Sequence, residues 1–232
     1  MINIEKTTVY GWEEAIRGMR NPKNSWDRSD TGWVQDSVKD NRTPLEYDFD
    51  WCAKKVIGPN DHDLMMRLAK GGPVHAKYRR MIAVYVDITA PLYWWKEFDT
   101  YKVGTVANSC STMHKIHAKE FTLDDFSCER IIDEEYYAYP MNTTPYSLLE
   151  DTVYMLNILR EQFLQNKDKK YWDSMIQLLP SSYNQKRTVM LNYEVLAGLY
   201  PMRKNHKLDE WHVFCDWIKS LPYSEIIIGE EK

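Results

Sequence analysis

The chain has 232 residues, a formal net charge of −4, 44% hydrophobic residues and 13% aromatic residues. This length can bury a core as one domain, and the aromatic content excludes a disordered chain. The basic residues are scattered, so no basic face suited to sequence-independent nucleic-acid binding is visible, and we expect no nucleic-acid partner.

The sequence predicts a cytoplasmic protein with reduced thiols. The first six residues have neither a basic start followed by an apolar stretch nor a cleavage site. We therefore expect no signal peptide. No apolar run approaches the length needed to span a bilayer, so we expect no membrane partner. The four cysteines form no Cys-x-x-Cys pair, which argues against a zinc knuckle or a disulfide framework.

The N-terminal part of the chain predicts a strand, a helix and then a long irregular segment. Apolar residues alternate with polar ones over 2–4, and a short helix is expected over 12–19. Residues 21–50 are rich in Asn, Asp, Pro, Ser and Gly, which is typical of an irregular excursion. Asp61 is a candidate cap for a helix that continues through Leu68.

The central part predicts a turn, a strand and an aromatic helix. Residues 71–75 contain two glycines and a proline, but lack the glycine spacing of a phosphate-binding loop, so a turn is the preferred interpretation. Residues 81–89 alternate at period two and predict the clearest strand. Pro91 suits the first turn of a helix through Tyr101, in which the pair at 94–95 is interpreted as core or subunit interface rather than as a stacking platform for bases.

The C-terminal part carries two patterns that resemble capping boxes. Ser147-x-x-Glu150 and Ser182-x-x-Gln185 each predict the start of an amphipathic helix. A last helix is expected around residues 208–218, and residues 225–228 are interpreted as a closing strand.

Arg203 is the strongest candidate binding residue on local chemistry. The predicted helix from Ser182 ends near Tyr200, before Pro201, and carries Asn192 in its middle. Arg203 lies just beyond that end, where it can satisfy the last helix carbonyls. Its guanidinium can also donate two parallel hydrogen bonds to a planar carbonyl–imide edge or to a phosphate.

Cys110, His114 and His117 are spaced to share one face of a helix. A metal site is one interpretation, but without a fourth ligand nearby a partly buried helix face is preferred, and we expect no metal. Cys110 is also a candidate nucleophile if Lys102, His114 or Lys115 lies close enough to favour its thiolate. The preferred alternative is a small buried hydrophobic residue.

The spacing of one C-terminal block resembles the flavin-dependent thymidylate synthases. In that family a Leu-Pro pair precedes an Asn, an Arg follows eleven residues later, and then come a His and an acidic–aromatic helix. The matching residues here are Leu179-Pro180, Asn192, Arg203, His206 and Glu210-Trp211. His75, the strand through Ile88 and Ala90-Pro91 also follow the family's order of elements. The resemblance spans most of residues 60–218.

The resemblance implies a mixed α/β (α+β) fold of the thymidylate synthase-complementing type, with a twisted, mainly antiparallel sheet flanked by helices. It implies one domain over residues 1–232 and a homotetramer with sites between subunits. In the family, reduced FAD supplies a hydride and a folate supplies the carbon. The implied function is therefore binding of a dUMP-like pyrimidine nucleotide, with methyl or hydroxymethyl transfer to its ring.

The resemblance also implies roles for individual residues. The family's serine position falls on Cys110 without a gap and on Ser111 with one. The implied catalytic residues are Arg203, which would polarise the pyrimidine ring, and Cys110. The implied nucleotide-binding residues are Lys102, Ser111, Arg203 and Glu97. The implied cofactor-binding residues are His75, Thr100, Tyr101, Lys102, Asn192 and His206.

Four arginine positions of the family carry no positive charge in this sequence. The Arg-His-Arg signature falls on residues 100–102, which read Thr-Tyr-Lys, and three further arginine positions carry Met113, Ile176 and Glu194. Each lost charge-assisted contact costs about 1.5–3 kcal/mol, so the family's affinity for FAD and for dUMP is not expected unless other residues compensate. The alternatives are a catalytically inactive binding or assembly protein of this fold, and a thiolate enzyme that uses Cys110.

Overall fold

A computed structural model describes residues 2–36, 40–48, 52–134, 136–138 and 141–229. In these residues helices combine with antiparallel sheet, which confirms the predicted mixed fold class. Among them, no helix has both the length and the apolar character required to cross a membrane.

Strands occur along the whole chain and form three sheets. They are β1 (Asn3–Tyr10), β2 (Gly32–Gln35), β3 (Glu46–Asp48), β4 (Ala53–Val56), β5 (Ala83–Pro91), β6 (Val106–Ser109), β7 (Tyr136–Ala138), β8 (Met141–Thr143) and β9 (Asn184–Asn192). One sheet has the order β1-β5-β9-β6. The others are an antiparallel β2-β4-β3 sheet and an antiparallel β7-β8 pair.

The helices range from single turns to a helix of 22 residues. They are α1 (Trp12–Arg20), α2 (Pro59–Lys70), α3 (Leu92–Phe98), α4 (Thr112–Lys115), α5 (Pro145–Asn166), α6 (Lys169–Leu178), α7 (Tyr193–Arg203), α8 (Asp209–Ser220) and α9 (Glu225–Ile228). The predictions of the opening strand, of α1 and of α8 are confirmed. The predicted strand over 81–89 is confirmed as β5, where alternate side chains from Ile82 to Ala90 are buried.

The predicted helix starting at Ser182 is wrong, because residues 184–192 form the strand β9. Burial over Gln185, Val189 and Leu191 follows the two-residue period of a strand. Pairing with β5 and β6 therefore decides the conformation, and the spacing of Ser182 and Gln185 only imitates a capping box.

Several predicted helix boundaries are also corrected. The helix near Ser147 is capped by Thr144, whose side chain accepts the N–H of Ser147. Pro91 ends β5 and precedes α3, and α3 ends at Phe98 rather than at Tyr101. The predicted closing strand is the short helix α9.

The predicted irregular excursion at 21–50 contains more regular structure than expected. Residues 32–35 and 46–48 are strands that pair with β4, and two short 3-10 helices precede them. Residues 37–39 and 49–50 of the excursion lie outside the described residues. The prediction failed because a three-residue strand carries too little periodicity to be recognised.

The described residues group into two compact units that alternate along the chain. The first unit contains the described residues of the ranges 1–5, 87–100 and 107–188. The second unit contains the described residues of the ranges 6–86, 101–106 and 189–232. The single domain over 1–232 stays a prediction. In the first unit, Leu156 of α5 and Met175 of α6 are fully buried in one hydrophobic cluster. In the second, α7 packs against α8, α9 and a 3-10 helix over Ala76–Met81.

Candidate functional site

The candidate site in the second unit is built on α7, which begins immediately after β9. Asn192 ends the strand in an extended conformation, and its side-chain oxygen accepts the N–H groups of Glu194 at 3.1 Å and Val195 at 3.0 Å. Asn192 is therefore the N-cap of α7, and its predicted position in mid-helix is wrong. This cap fixes where α7 starts and thus where its far end lies.

The capping role of Asn192 predicts a measurable stability change. We expect Asn192→Ala to lower the free energy of unfolding by about 1 kcal/mol, because two backbone N–H groups lose their acceptor. Urea denaturation followed by tryptophan fluorescence checks this value. Asn192→Asp, which keeps the acceptor oxygen, should retain most of the stability, and equal losses in both variants would contradict the capping role.

Arg203 is the last residue of α7, so its predicted place beyond the helix end is corrected by one turn. Pro201 lies inside the helix, two residues before its end, rather than terminating it at Tyr200. Because proline has no N–H, the helix lacks one backbone hydrogen bond to the preceding turn at this position.

The guanidinium of Arg203 lies against two aromatic side chains. Its Nε donates to the hydroxyl of Tyr101 at 2.8 Å, and its central carbon lies 5.3 Å from the centroid of that ring. The same carbon lies 4.4 Å from the centroid of Trp211 in α8. These contacts favour one orientation of a permanently charged, planar group.

His206 follows α7 in the turn that leads to α8. Its Nδ1 accepts the N–H of Leu208 at 3.1 Å, so a neutral ring carries its proton on Nε2. Its ring centroid lies 6.2 Å from that of Trp211 in an edge-on arrangement. Arg203 and His206, both implied by the resemblance, thus contact the same indole ring, as does Tyr101 at 6.3 Å.

The segment that carries Tyr101 also approaches the start of α7. Gly104 has a φ of +79°, and a Cβ built on it would lie 3.0 Å from Val195 and 3.2 Å from the Asn192 amide nitrogen. A side chain at this position would be strained in its backbone and crowded by α7. Glycine therefore allows the segment to approach the Asn192 end of the helix, while Tyr101 contacts Arg203 at the other end.

Other residues implied by the resemblance lie on exposed or structural positions. In the first unit, the Thr100 hydroxyl donates to the carbonyl of Glu97 at 2.8 Å, and Thr100 is exposed. Lys102 of the second unit is exposed as well. The contacts of these side chains therefore do not by themselves define a site.

Cys110 and Ser111 lie side by side in the first unit. The Cys110 carbonyl accepts from the Gln185 side chain at 2.9 Å, and its exposed thiol lines a cavity of about 790 Å³ that Cys128 also lines. The Ser111 hydroxyl caps α4 by accepting the N–H of His114 at 3.1 Å. Exposure contradicts the interpretation of Cys110 as a buried hydrophobic residue.

The predicted helix face of Cys110, His114 and His117 is wrong. The helix α4 has four residues and contains only His114, so the three side chains do not follow one helical face. Among the residues with described structure, no group of three or more histidine, cysteine or acidic side chains could hold a metal ion.

Three positions that the resemblance assigns to lost arginines carry Met113, Ile176 and Glu194, none of which can bind the diphosphate of FAD through a positive charge. Ile176 packs against the hydrophobic cluster of α5 and α6, and Met113 is half-exposed. Glu194 carries the opposite charge and lies 3.6 Å from Nη1 of Arg79, with both side chains largely buried. The residues at these positions therefore do not fit an anionic diphosphate.

His75 lies in a different environment, on the wall of an open cleft formed by residues 18–81 of the second unit. A Cβ built on Gly71 would lie 3.1 Å from its ring, so the glycine leaves space for the imidazole. The predicted turn over residues 71–75 leads here into the 3-10 helix.

Trp211 and Gly104 are the site residues that sequence reasoning did not assign. Trp211 was part of the matched block, but it lies eight residues after Arg203, with a turn between the two. No helical period therefore predicts that the two side chains meet. Gly104 gave no signal beyond being a glycine near the altered signature. Both roles depend on how α7, α8 and the segment over 101–106 meet.

Comparison with known proteins gives similarity at the level of structure. No protein-family model and no curated protein matches the sequence. Thymidylate synthase X (ThyX) from Helicobacter pylori, solved with FAD and dUMP, is similar with a TM-score of 0.63 and 15% identity, over 99% of this chain and 98% of that chain. A second structure of that enzyme with FAD and dUMP gives a TM-score of 0.61 and 14% identity, over 97% and 98%.

A further similar structure is that of a UMP/dUMP methylase, PolB from Streptomyces cacaoi, bound with 5-Br dUMP. Its TM-score is 0.55 at 12% identity, over 97% of this chain and 93% of that chain. At these identities the likeness concerns the path of the backbone. This chain therefore has the fold of thymidylate synthase X along nearly its whole length.

Proposed function

We propose that this protein binds a pyrimidine nucleotide such as dUMP and that Arg203 contacts its base. The observation that carries the proposal is the Arg203 guanidinium, held by the Tyr101 hydroxyl and the Trp211 ring. It is supported by the fold, since similar structures contain dUMP or 5-Br dUMP.

The chemistry of a guanidinium suits this role. Its planar N–H groups donate in parallel to the carbonyl and imide edge of a uracil ring, and its charge does not depend on pH in the physiological range. A positive charge beside a ring carbonyl would stabilise the negative charge that develops there when a nucleophile adds to the ring. His206, with its proton on Nε2, offers a second donor from the same turn.

Arg203→Ala tests the proposal. We expect dUMP affinity to fall at least tenfold, about 1.4 kcal/mol, because the charged fork that binds the base is lost. Isothermal titration calorimetry measures the affinity, and a shift in melting temperature with dUMP gives an independent measurement. Arg17→Ala is the matched control, because Arg17 is an exposed arginine on α1 with no described contact to Arg203, Tyr101 or Trp211.

Two results would contradict the proposal. One is absence of dUMP binding by the unaltered protein, and the other is unchanged affinity in Arg203→Ala. Tyr101→Phe refines the test, because it removes only the hydroxyl that accepts from Arg203. We expect it to weaken binding less than Arg203→Ala does.

The second candidate function is nucleotide or protein binding without catalysis. It is favoured by Glu194 and Ile176, which place an acid and a partly buried hydrocarbon where the resemblance implies arginines. A catalytically inactive protein should bind dUMP and yet convert no labelled dUMP in the presence of FAD, a reductant and methylene-tetrahydrofolate. Formation of a methylated or hydroxymethylated nucleotide would exclude this function. Assembly as a homotetramer and cytoplasmic location stay predictions.

A further inference from the structure

A cleft of about 1370 Å³ in the second unit carries an excess of positive charge. It lies beside the C-terminal end of α1, the following turns, α2 and the segment over residues 71–81. Its basic residues are Arg20, Lys23, Arg28, Arg67 and Lys77, and its acidic residues are Asp27 and Asp63. Even when Asp61, the partner of Arg20, is counted, two positive charges remain, in a chain whose net charge is −4.

Arg20 is a buried part of the cleft wall. Its side chain is 4% exposed, its Nε donates to Asp61 at 2.6 Å and its Nη1 donates to the Ser25 carbonyl at 3.1 Å. Its Nη2 is buried and has no hydrogen-bond partner among the described residues. A buried guanidinium nitrogen without an acceptor is costly. Because Arg20 belongs to the lining of the cleft, a phosphate bound there is a candidate for the missing acceptor.

Three further cations on the cleft have no acidic partner. Lys23, Arg28 and Lys77 are exposed and form no ion pair with any carboxylate in the described part of the chain. Arg67 differs, because its guanidinium lies 2.8 Å from Asp63. Unpaired cations on a concave surface raise the local concentration of anions and strengthen their binding.

We propose that this cleft binds the phosphate groups of a ligand. Arg28 and Lys77 supply exposed charges, Arg20 supplies the buried donor, and His75 lines the same cleft for contact with the organic part of the ligand. The volume is large enough for a nucleotide or a dinucleotide. This inference goes beyond the proposed function, because the lining of the cleft contains neither Arg203 nor Tyr101.

The test uses inorganic pyrophosphate, FAD and dUMP as separate probes of the full chain. We expect pyrophosphate to bind with an affinity that falls as sodium chloride is raised. The double variant Arg28→Ala with Lys77→Ala should weaken pyrophosphate binding at least tenfold. Arg17→Ala with Lys219→Ala is the matched control, because it removes the same two charge types from residues outside the cleft lining. Circular dichroism verifies that both variants are folded.

FAD and dUMP identify the source of the phosphate. A loss of FAD affinity in the cleft variant supports a dinucleotide ligand, whereas a loss of dUMP affinity supports a mononucleotide. Either loss supports the cleft as a phosphate site. The inference is overturned if pyrophosphate does not bind the unaltered protein, or if the cleft and control variants bind it equally.

The same experiment separates this inference from the proposed function. Arg203→Ala should leave pyrophosphate affinity unchanged, since Arg203 is not part of the cleft. If Arg203→Ala loses dUMP while the cleft variant keeps pyrophosphate, the proposed function stands and the cleft inference falls. If the cleft variant loses pyrophosphate binding while Arg203→Ala keeps dUMP binding, the cleft inference stands and the proposed function falls.

Discussion

Asp61→Ala should destabilise the protein by about 3–5 kcal/mol, because it leaves the buried charge of Arg20 without its partner. One carboxylate oxygen accepts four hydrogen bonds, from the Ser29 hydroxyl, the Asp30 N–H and both the N–H and the hydroxyl of Thr31. The other accepts Arg20 Nε at 2.6 Å, and the side chain is fully buried. The substitution therefore removes the acceptor for five donors at once.

Urea denaturation measures this loss, and Asp63→Ala is its control. Asp63 lies two residues further along α2, is 65% exposed and pairs only with Arg67 in the described structure, so its loss should cost at most about 0.5 kcal/mol. Equal midpoints for the two variants would show that the Asp61 network contributes little. The network also corrects the prediction that Asp61 caps α2, because the helix begins two residues earlier, after Gly58.

The same network gives the stability a pH dependence. Burial alone would raise the pKa of Asp61, but hydrogen bonds from Thr31, Ser29 and Arg20 outweigh it and hold the pKa below the ordinary value of 3.8. The contribution is thus complete above pH 3.8 and is lost as the pH falls through the lower value of the folded state. In Asp61→Asn this part of the acid dependence should be absent.

Trp211→Ala should cost about 3–5 kcal/mol of stability and also lower nucleotide affinity. The indole is fully buried, packs edge-on against Phe214 at 5.6 Å and lies 4.4 Å from the Arg203 guanidinium. Its removal leaves a cavity in the core and frees Arg203 to occupy other orientations. Chemical denaturation measures the first effect, and titration of the folded variant with dUMP measures the second.

Trp217→Ala is the matched control on the same helix. Trp217 is half-buried and its indole donates to the Thr7 hydroxyl at 2.9 Å, without a described contact to Arg203. It should lose less stability and keep its affinity for dUMP. Trp211→Phe should recover much of the stability. If Trp211→Ala binds dUMP as well as Trp217→Ala does, the ring does not position Arg203.

Local sequence patterns predicted some elements of this fold and failed for others for a clear physical reason. The period-two pattern of β5 was sufficient because all its alternate apolar residues face the core. In β9 a local pattern suggested a helix, while pairing with strands more than 70 residues away in sequence determined the conformation. The closing segment over 225–228 shows the opposite failure, since its apolar run suited either a strand or a helix.

The candidate site was predictable where its members are close in sequence. Asn192, Arg203 and His206 belong to one block, and their spacing made them recognisable together. Tyr101 lies 102 residues before Arg203, so only the fold brings its hydroxyl to the guanidinium. The cleft beside Arg20 was not predicted, because its cations come from separate segments with no common motif.

The ion pair between Arg79 and Glu194 links two positions that would otherwise be free to vary separately. Both side chains are largely buried, and each is the counter-charge of the other at 3.6 Å. Glu194→Arg alone would restore the residue type implied by the resemblance, but it would set two guanidinium groups side by side with little water between them. A single substitution is therefore insufficient to place an arginine at residue 194, and residue 79 must be altered first or at the same time.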